Sequence, residues 1–390
     1  MNAPFFKPVQ DEMGWHVLFA FQVFHRPPEE WMKMKWGFNA GALLDEALDR
    51  YKLFIESQSI NEVEFMMGVA QNNTLVLRGV YSPDTGVRMV LLGKSCAEGR
   101  EQALENAHHF ARQVSSTFPH DFILVPAKQE NHDSLAGEEL LDGKVRMAQI
   151  QRGIVPLPKG SRISWLTGLW RSAPRSNEQI WRALSAMPQP ALFNILVKPV
   201  IMYPEEKSIW EDVRKEVSVH KEGAGSERAT WLEACLSRRL SIWKKFFLAQ
   251  VHVVTASGLE NLIHAIGPSL TRDSSDLALP SYQARYSTTE ESHWWGKSIR
   301  LLELVESSSR MDDLADTDEI FSIFRFPYRP ETGLPGAKFE ERPTEKSFHG
   351  LMKQAHEKEQ GSGSRPRDKT SATGAFSDDW KRRDRHYPCA

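Results

Sequence analysis

Residues 74–126 read TLVLRGVYSPDTGVRMVLLGKSCAEGREQALENAHHFARQVSSTFPHDFILVP, and they settle what kind of fold to expect. Thr74–Tyr81 and Val87–Leu92 are rich in β-branched and apolar residues and are joined by a Pro-Asp-Thr-Gly turn, which predicts a β-hairpin. Over 98–118, Ala103, Ala107, Phe110, Val114 and Phe118 recur at steps of three and four, so one face of a helix is apolar. Phe122–Val125 then reads as a strand ending at Pro126. The module is hairpin, helix, strand.

Working outward, a similar order returns further along the chain. Ala191–Val200 reads as a strand, and Pro204 opens a helix through Val219, with two glutamates behind a proline suited to the first turn. A second helix is expected over 228–247, with Leu232, Leu236, Leu240, Trp243 and Phe247 as its stripe. Ala249–Thr255 is a strand, and Gly258–Ile266 begins another helix. The expectation is an α+β protein of two sheet-plus-helix modules in tandem. Their bounds are 1–152 and 177–342, joined by a Pro/Gly/Ser/Arg-rich linker or surface loop at 153–176. Residues 343–390 lose apolar periodicity and read as a polar, disordered tail.

Composition sets limits on function. The chain has 390 residues, 41% hydrophobic and 26% charged, with a formal net charge of −2. No global field therefore favours nucleic acid or an anionic membrane. Cys96, Cys235 and Cys389 are far apart and form no CxxC pair, which fits a reducing cytoplasm and argues against a zinc knuckle or disulfide framework. The N-terminus lacks a basic start and a cleavage site, and Val17–Phe24 is too short to span a bilayer. A cytoplasmic location is expected.

Motifs for chemistry are thin. Gly93-Lys94-Ser95 follows an apolar run, but a phosphate-binding loop needs a glycine where Arg88 stands, and Met89–Leu92 is strand-like. His108 and His109 are sequence neighbours, so on a helix they diverge by about 100° and cannot share a metal. Pro119-His120-Asp121 and Asn131-His132-Asp133 are turn-like, and no GxSxG is present. Pro83-Asp84 lacks the D/E-x-K of a nuclease. No catalytic residue, metal or cofactor is expected. Arg238, Arg239, Lys244 and Lys245 lie on the polar side of the expected 228–247 helix, either as a charged solvent face or as phosphate contacts. Trp380, Lys381, Arg382, Arg383 and Arg385 form a basic, aromatic cluster in the tail that could stack on single strands. Trp294-Trp295 reads as an interface hot spot if exposed and as core if buried.

The segment 318–339, DEIFSIFRFPYRPETGLPGAKF, has more specificity than the rest. Together with FILVPA and WKKFFLAQVHVVTASGLENLIHAI before it, it resembles the non-catalytic N-terminal region of HerA/FtsK-like ATPases of the conjugation and type IV secretion type, over roughly 72–339. In that family a P-loop motor follows this segment, and residues 340–390 carry no P-loop motif. The resemblance therefore implies a non-enzymatic accessory or adaptor subunit acting with a P-loop ATPase in trans, in a DNA-handling, mobile-element or defence complex. Phe321, Phe324, Arg325, Phe326, Pro327, Leu334, Pro335 and Gly336 would form the docking connector. The alternatives are a nucleic-acid-binding module using the basic helix and tail, and a divergent nuclease.

Overall fold

The expected hairpin is present, and its strands run well past the turn. β3 (Asn72–Ser82) and β4 (Gly86–Ala97) pair along their whole length, with Gly86 at φ 91° closing the turn. The computed structural model describes residues 3–342 apart from 13, 27–39, 61, 67–71, 158–160, 173–176, 220–225, 242–244, 272–281, 308 and 328–333. β4 continues through Gly93-Lys94-Ser95, so that motif is strand and not a loop. Gly93 is there for space: a Cβ at that position would lie 2.1 Å from the Phe19 ring on the adjacent strand.

The remaining elements form two copies of one pattern. After β1 (Lys7–Asp11), which pairs antiparallel with the next strand, the first copy comprises β2 (Gly14–His25), α1 (Ala40–Ser57), β3, β4, α3 (Arg100–Thr117) and β5 (Phe122–Pro126), with a short α2 (Glu62–Met66) between α1 and β3. After α4 (His132–Ala136) and α5 (Glu138–Leu141), the second copy comprises β6 (Arg146–Arg152), α6 (Asn177–Ser185), β9 (Ala191–Val200), β10 (Phe246–Thr255), α9 (Leu259–Leu270) and β11 (Tyr282–Tyr286). In space the strands of the first lie in the order β5-β2-β4-β3, and those of the second as β9-β10-β6-β11. Each copy therefore has its fourth strand beside its first and its third between first and second. That is the β-α-β-β-α-β ferredoxin-like arrangement.

The two copies share one sheet. β3 pairs antiparallel with β9, from Leu75↔Val197 to Tyr81↔Ala191, and every strand pairing in the ten-stranded sheet is antiparallel. The α+β class stands, and the strands of both copies join in a single sheet, so neither copy closes a sheet of its own. The expected boundary at 152 also moves, because β6 pairs with β10 and β11 and belongs to the second module. The physical reason is that β3 is apolar on both faces, so an exposed outer edge is covered by pairing.

The linker expected at 153–176 carries structure of its own. β7 (Ile154–Pro156) and β8 (Trp165–Thr167) form a small ribbon, and Leu169 and Trp170 are buried. The helix expected over 228–247 ends earlier: α8 (Ser226–Arg239) stops at Arg239, and Phe246 and Phe247 belong to β10. β-Propensity of the FFLAQVHVVT run and the pull of the central sheet position override the helical spacing. The tail from 343 lies outside the described residues.

Both faces of the sheet are covered, and all ten residues of β10 are buried. One face packs against α1, α3, α6, α9 and α12 (Thr317–Ile323) through Phe19, Leu77, Leu91, Phe193, Ile195 and Val251. The opposite face is covered in patches. α4 lies over Leu18, Val76 and Leu92, while α5 and α10 (Thr289–Arg300) lie over Met147, Leu192 and Val254. α7 (Pro204–Val219), α8 and the β7–β8 ribbon lie over Phe246 and Leu248. Trp295 of α10 is core and Trp294 is 64% exposed, so the pair divides between the two roles open to it. Among the described residues, no helix is long and apolar enough to cross a membrane.

Candidate functional site: a strap across both modules

The segment that resembles a pre-motor connector follows α11 (Arg310–Asp313) and β12 (Leu314–Asp316), which pairs with β10. Asp316 caps α12 and accepts from the Glu319 backbone N–H at 2.9 Å, while Glu319 Oε2 accepts from the Asp316 N–H at 3.1 Å. This reciprocal capping box fixes where the helix starts. Glu319 is fully buried, and its other oxygen, Oε1, accepts from Arg152 at 2.8 Å, the Trp170 N–H at 3.0 Å and Arg239 at 3.3 Å. Arg152 also donates to the carbonyls of Asp312 and Leu314, and Arg239 to those of Thr167 and Gly168. A buried carboxylate with this many charged and backbone donors is well compensated, whereas removing one partner would leave an uncompensated buried charge. Burial holds the Arg152 guanidinium below its ordinary range, and Glu319 opposes that shift.

Beyond α12 the chain turns inward. Phe324 and Phe326 are at most 2% exposed, and Phe326 stacks near Phe118, Phe122 and Trp181. The Phe326 N–H donates to Tyr51 Oη at 3.0 Å, and burial pushes the Tyr51 hydroxyl well above its usual range. Arg325 is buried, donates to the Ser172 carbonyl and lies 5.8 Å from the Phe321 ring; burial lowers it to about 10. Its own carbonyl accepts from Asn177 Nδ2 at 3.1 Å. Further on, Leu334 is buried, Arg182 Nε donates to the Pro335 carbonyl at 2.8 Å, and Gly336 turns at φ 78°. Val87 of β4 then exchanges backbone hydrogen bonds with Lys338 and Glu340.

Residues 316–327 and 334–340 thus form a strap. They touch α1, β4 and β5 of the first module and α6 of the second, and Glu319 ties them to β6, α8 and the backbone of Trp170. This corrects the docking expectation. Phe324, Arg325, Phe326, Pro327 and Leu334 are buried and Phe321 is half-buried, so they hold this chain together and are not open to a partner. Pro335 and Gly336 are exposed. Gly336 lines a groove of about 490 Å³ between α6 and α9, with Arg182, Met187, Gly258, Asn261 and Leu262.

The basic-helix expectation is corrected too. Arg239 is fully buried on Glu319 and stacked near Trp210, and Arg238 makes a two-point contact with Asp316 at 2.7 and 2.8 Å. Neither faces a phosphate backbone. Lys245 is exposed; Lys244, Trp380, Lys381, Arg382, Arg383 and Arg385 lie outside the described residues. His108 and His109 sit on the exposed edge of α3, and Asp121 is taken by Arg50. Glu319, Arg152 and Tyr51 escape a sequence reading because their partners are distant in the chain. Only the D-x-x-E spacing of the capping box could have flagged Glu319.

A second ionisable group sits at the module seam. Arg78 of β3 donates to Asn194 of β9 at 2.9 Å and to the carbonyls of Ala136 and Ile299, while burial lowers its guanidinium to about 9. His252, the cross-strand partner of Asn194, is fully buried, and neither ring nitrogen has a hydrogen-bond partner among the described residues. Burial, with a smaller contribution from Arg78, lowers it to about 3. These groups are enclosed and serve the core. No family model matches the chain, and no curated protein sequence matches it.

Proposed function

We propose that this protein is a non-enzymatic adaptor acting with a HerA/FtsK-like P-loop ATPase in trans, in a DNA-handling, mobile-element or defence complex. The observation that carries the reading is the strap. The described parts of the segment whose wording resembles the pre-motor connector are clamped to both modules through Glu319, Phe326 and the contacts with Val87. A front end clamped in this way suits the task of holding another subunit at a fixed position. Among the described residues of that segment, Pro335, Gly336 and Lys338 are exposed, and with the adjoining α6–α9 groove they are open to a partner.

Affinity capture from the native host, read by mass spectrometry, tests the reading. Recovery of a P-loop ATPase is expected, with loss of capture when Gly336 and Arg182 are both replaced by glutamate. Capture of other proteins but no P-loop ATPase would overturn it.

A further inference from the structure

A separate cluster lies far from the strap in the sheet, on the face opposite α1, α3, α6 and α9. In register across the strands, His16 of β2 stands opposite Cys96 of β4, and Cys96 opposite Asn72 of β3. Directly opposed residues share a face, so all three side chains meet there. Cys96 Sγ is 3.0 Å from His16 Nδ1. The other ring nitrogen, Nε2, is 2.6 Å from Asp11 Oδ2, although no aligned hydrogen bond is formed, so Asp11 acts on the ring by charge. The His16 side chain is only 7% exposed.

Charged groups of both signs stand near the sulfur, Lys94 and Lys198 against Asp11 and Glu303. Lys94 is two residues away on the same face of β4 and pairs with Glu303 at 3.2 Å. Glu303 follows Leu302, whose φ of 53° is the one positive value among described non-glycine residues. Lys198 of β9 makes no hydrogen bond or ion pair with a described residue, and burial and Lys94 hold its ammonium below the usual range. Lys198 and Asn72 line a cavity of about 330 Å³ walled by Phe65, Tyr203 and Arg310. Asn72, which lines that cavity, is the cross-strand neighbour of Cys96.

We propose that Cys96 is a nucleophilic thiol that exchanges with small disulfides carrying anionic groups, with His16 as its base and Asp11 as a positioning residue. The neutral ring accepts the Sγ proton at Nδ1 and keeps its own proton at Nε2, facing the Asp11 charge. The freed sulfur attacks one sulfur of the disulfide. A new S–S bond forms as the old one breaks, the departing sulfur leaves with the electron pair, and it takes the proton back from His16. One disulfide is consumed and one mixed disulfide is formed, so no outside oxidant is needed. Burial pushes the Cys96 thiol up, Lys94 and Lys198 pull it the other way, and Glu303 and Asp11 add to the rise, so the resting group is the thiol and a base is required. The unpaired Lys198 supplies the preference for an anion. This inference does not rest on the adaptor reading.

The test uses the full chain with Cys389→Ser, reacted with the dianionic disulfide 5,5′-dithiobis(2-nitrobenzoate) and with neutral 4,4′-dithiodipyridine, each rate normalised to that of glutathione. Cys96 is expected to favour the anionic reagent over the neutral one about tenfold at low salt, relative to glutathione, and Lys198→Met should erase that preference. His16→Gln should slow both reagents about tenfold. Asp11→Asn should slow both less than His16→Gln does while circular dichroism stays unchanged. Cys96→Ser should abolish the anion-preferring reaction. An anion-preferring reaction that survives Cys96→Ser, a Cys96 without preference for the anionic reagent, or a His16→Gln rate equal to the parent's would each overturn the proposal.

Discussion

Gly93 shows how one absent methyl group fixes a packing layer. The Phe19 ring occupies the space a Cβ would need, and Phe19 in turn contacts Phe21 and Phe110 edge to face. Gly93→Ala is therefore expected to destabilise by about 1–3 kcal/mol, as overpacking does, and Phe19→Leu added to it should return part of the loss. Urea unfolding of the single and double variants measures both. Asp313 gives a second residue-scale prediction. It is buried and accepts from Gln250 Nε2 at 2.8 Å, and burial raises it to about 6. A group raised in the folded state gives stability that is complete below its unfolded value and fades as pH rises through about 6. Asp313→Asn should therefore stabilise at pH 7.5, by on the order of 2 kcal/mol, and change little at pH 4. Melting curves at the two pH values decide this. A sequence reading could not find either residue: GKS looked like punctuation until Phe19 was seen beneath it, and Asp313 differs from Asp312 only in what covers it.

At the scale of elements, the strap helix α12 depends on Glu319. Glu319→Gln keeps the shape and the capping contact but leaves Arg152 and Arg239 without their buried counter-charge, which should cost about 3–5 kcal/mol. Asp316→Ala should cost less, about 1–2 kcal/mol, through loss of the cap and of the contact with Arg238. Chemical denaturation of both variants is the check, and the order of the two losses is the expectation. The hairpin, α3 and β5 were legible because their patterns are local and strongly periodic. The end of α8 was not: Leu240 and Phe247 continue a helical spacing, and only the vacancy between β9 and β6 makes Phe246–Thr255 a strand. The buried state of Phe326 was equally hidden, since its receiving surface comes from Tyr51, Phe118, Phe122 and Trp181, all distant from it in sequence.

For the whole molecule, acid response centres on the seam. His252 is neutral in the fold and its value is lowered to about 3, against an ordinary value of 6.5. A group lowered in the folded state gives stability that is complete above its unfolded value and is lost as pH falls, here from about 6.5 toward 3. His252→Leu, which also removes two buried nitrogens without partners among the described residues, should leave stability at pH 7 unchanged or higher and flatten its decline between pH 6 and 4. Thermal melts across that range test this. The pairing of β3 with β9 has a further consequence for biogenesis. As the polypeptide leaves the ribosome, Leu75, Val76 and Leu77 must wait with an unsatisfied backbone row until Ile195, Leu196 and Val197 have been synthesised. During that interval the nascent first half is an adhesive template, open to stray strands and to chaperones alike. A stalled 1–145 fragment should self-associate, whereas one extended to 341 should not.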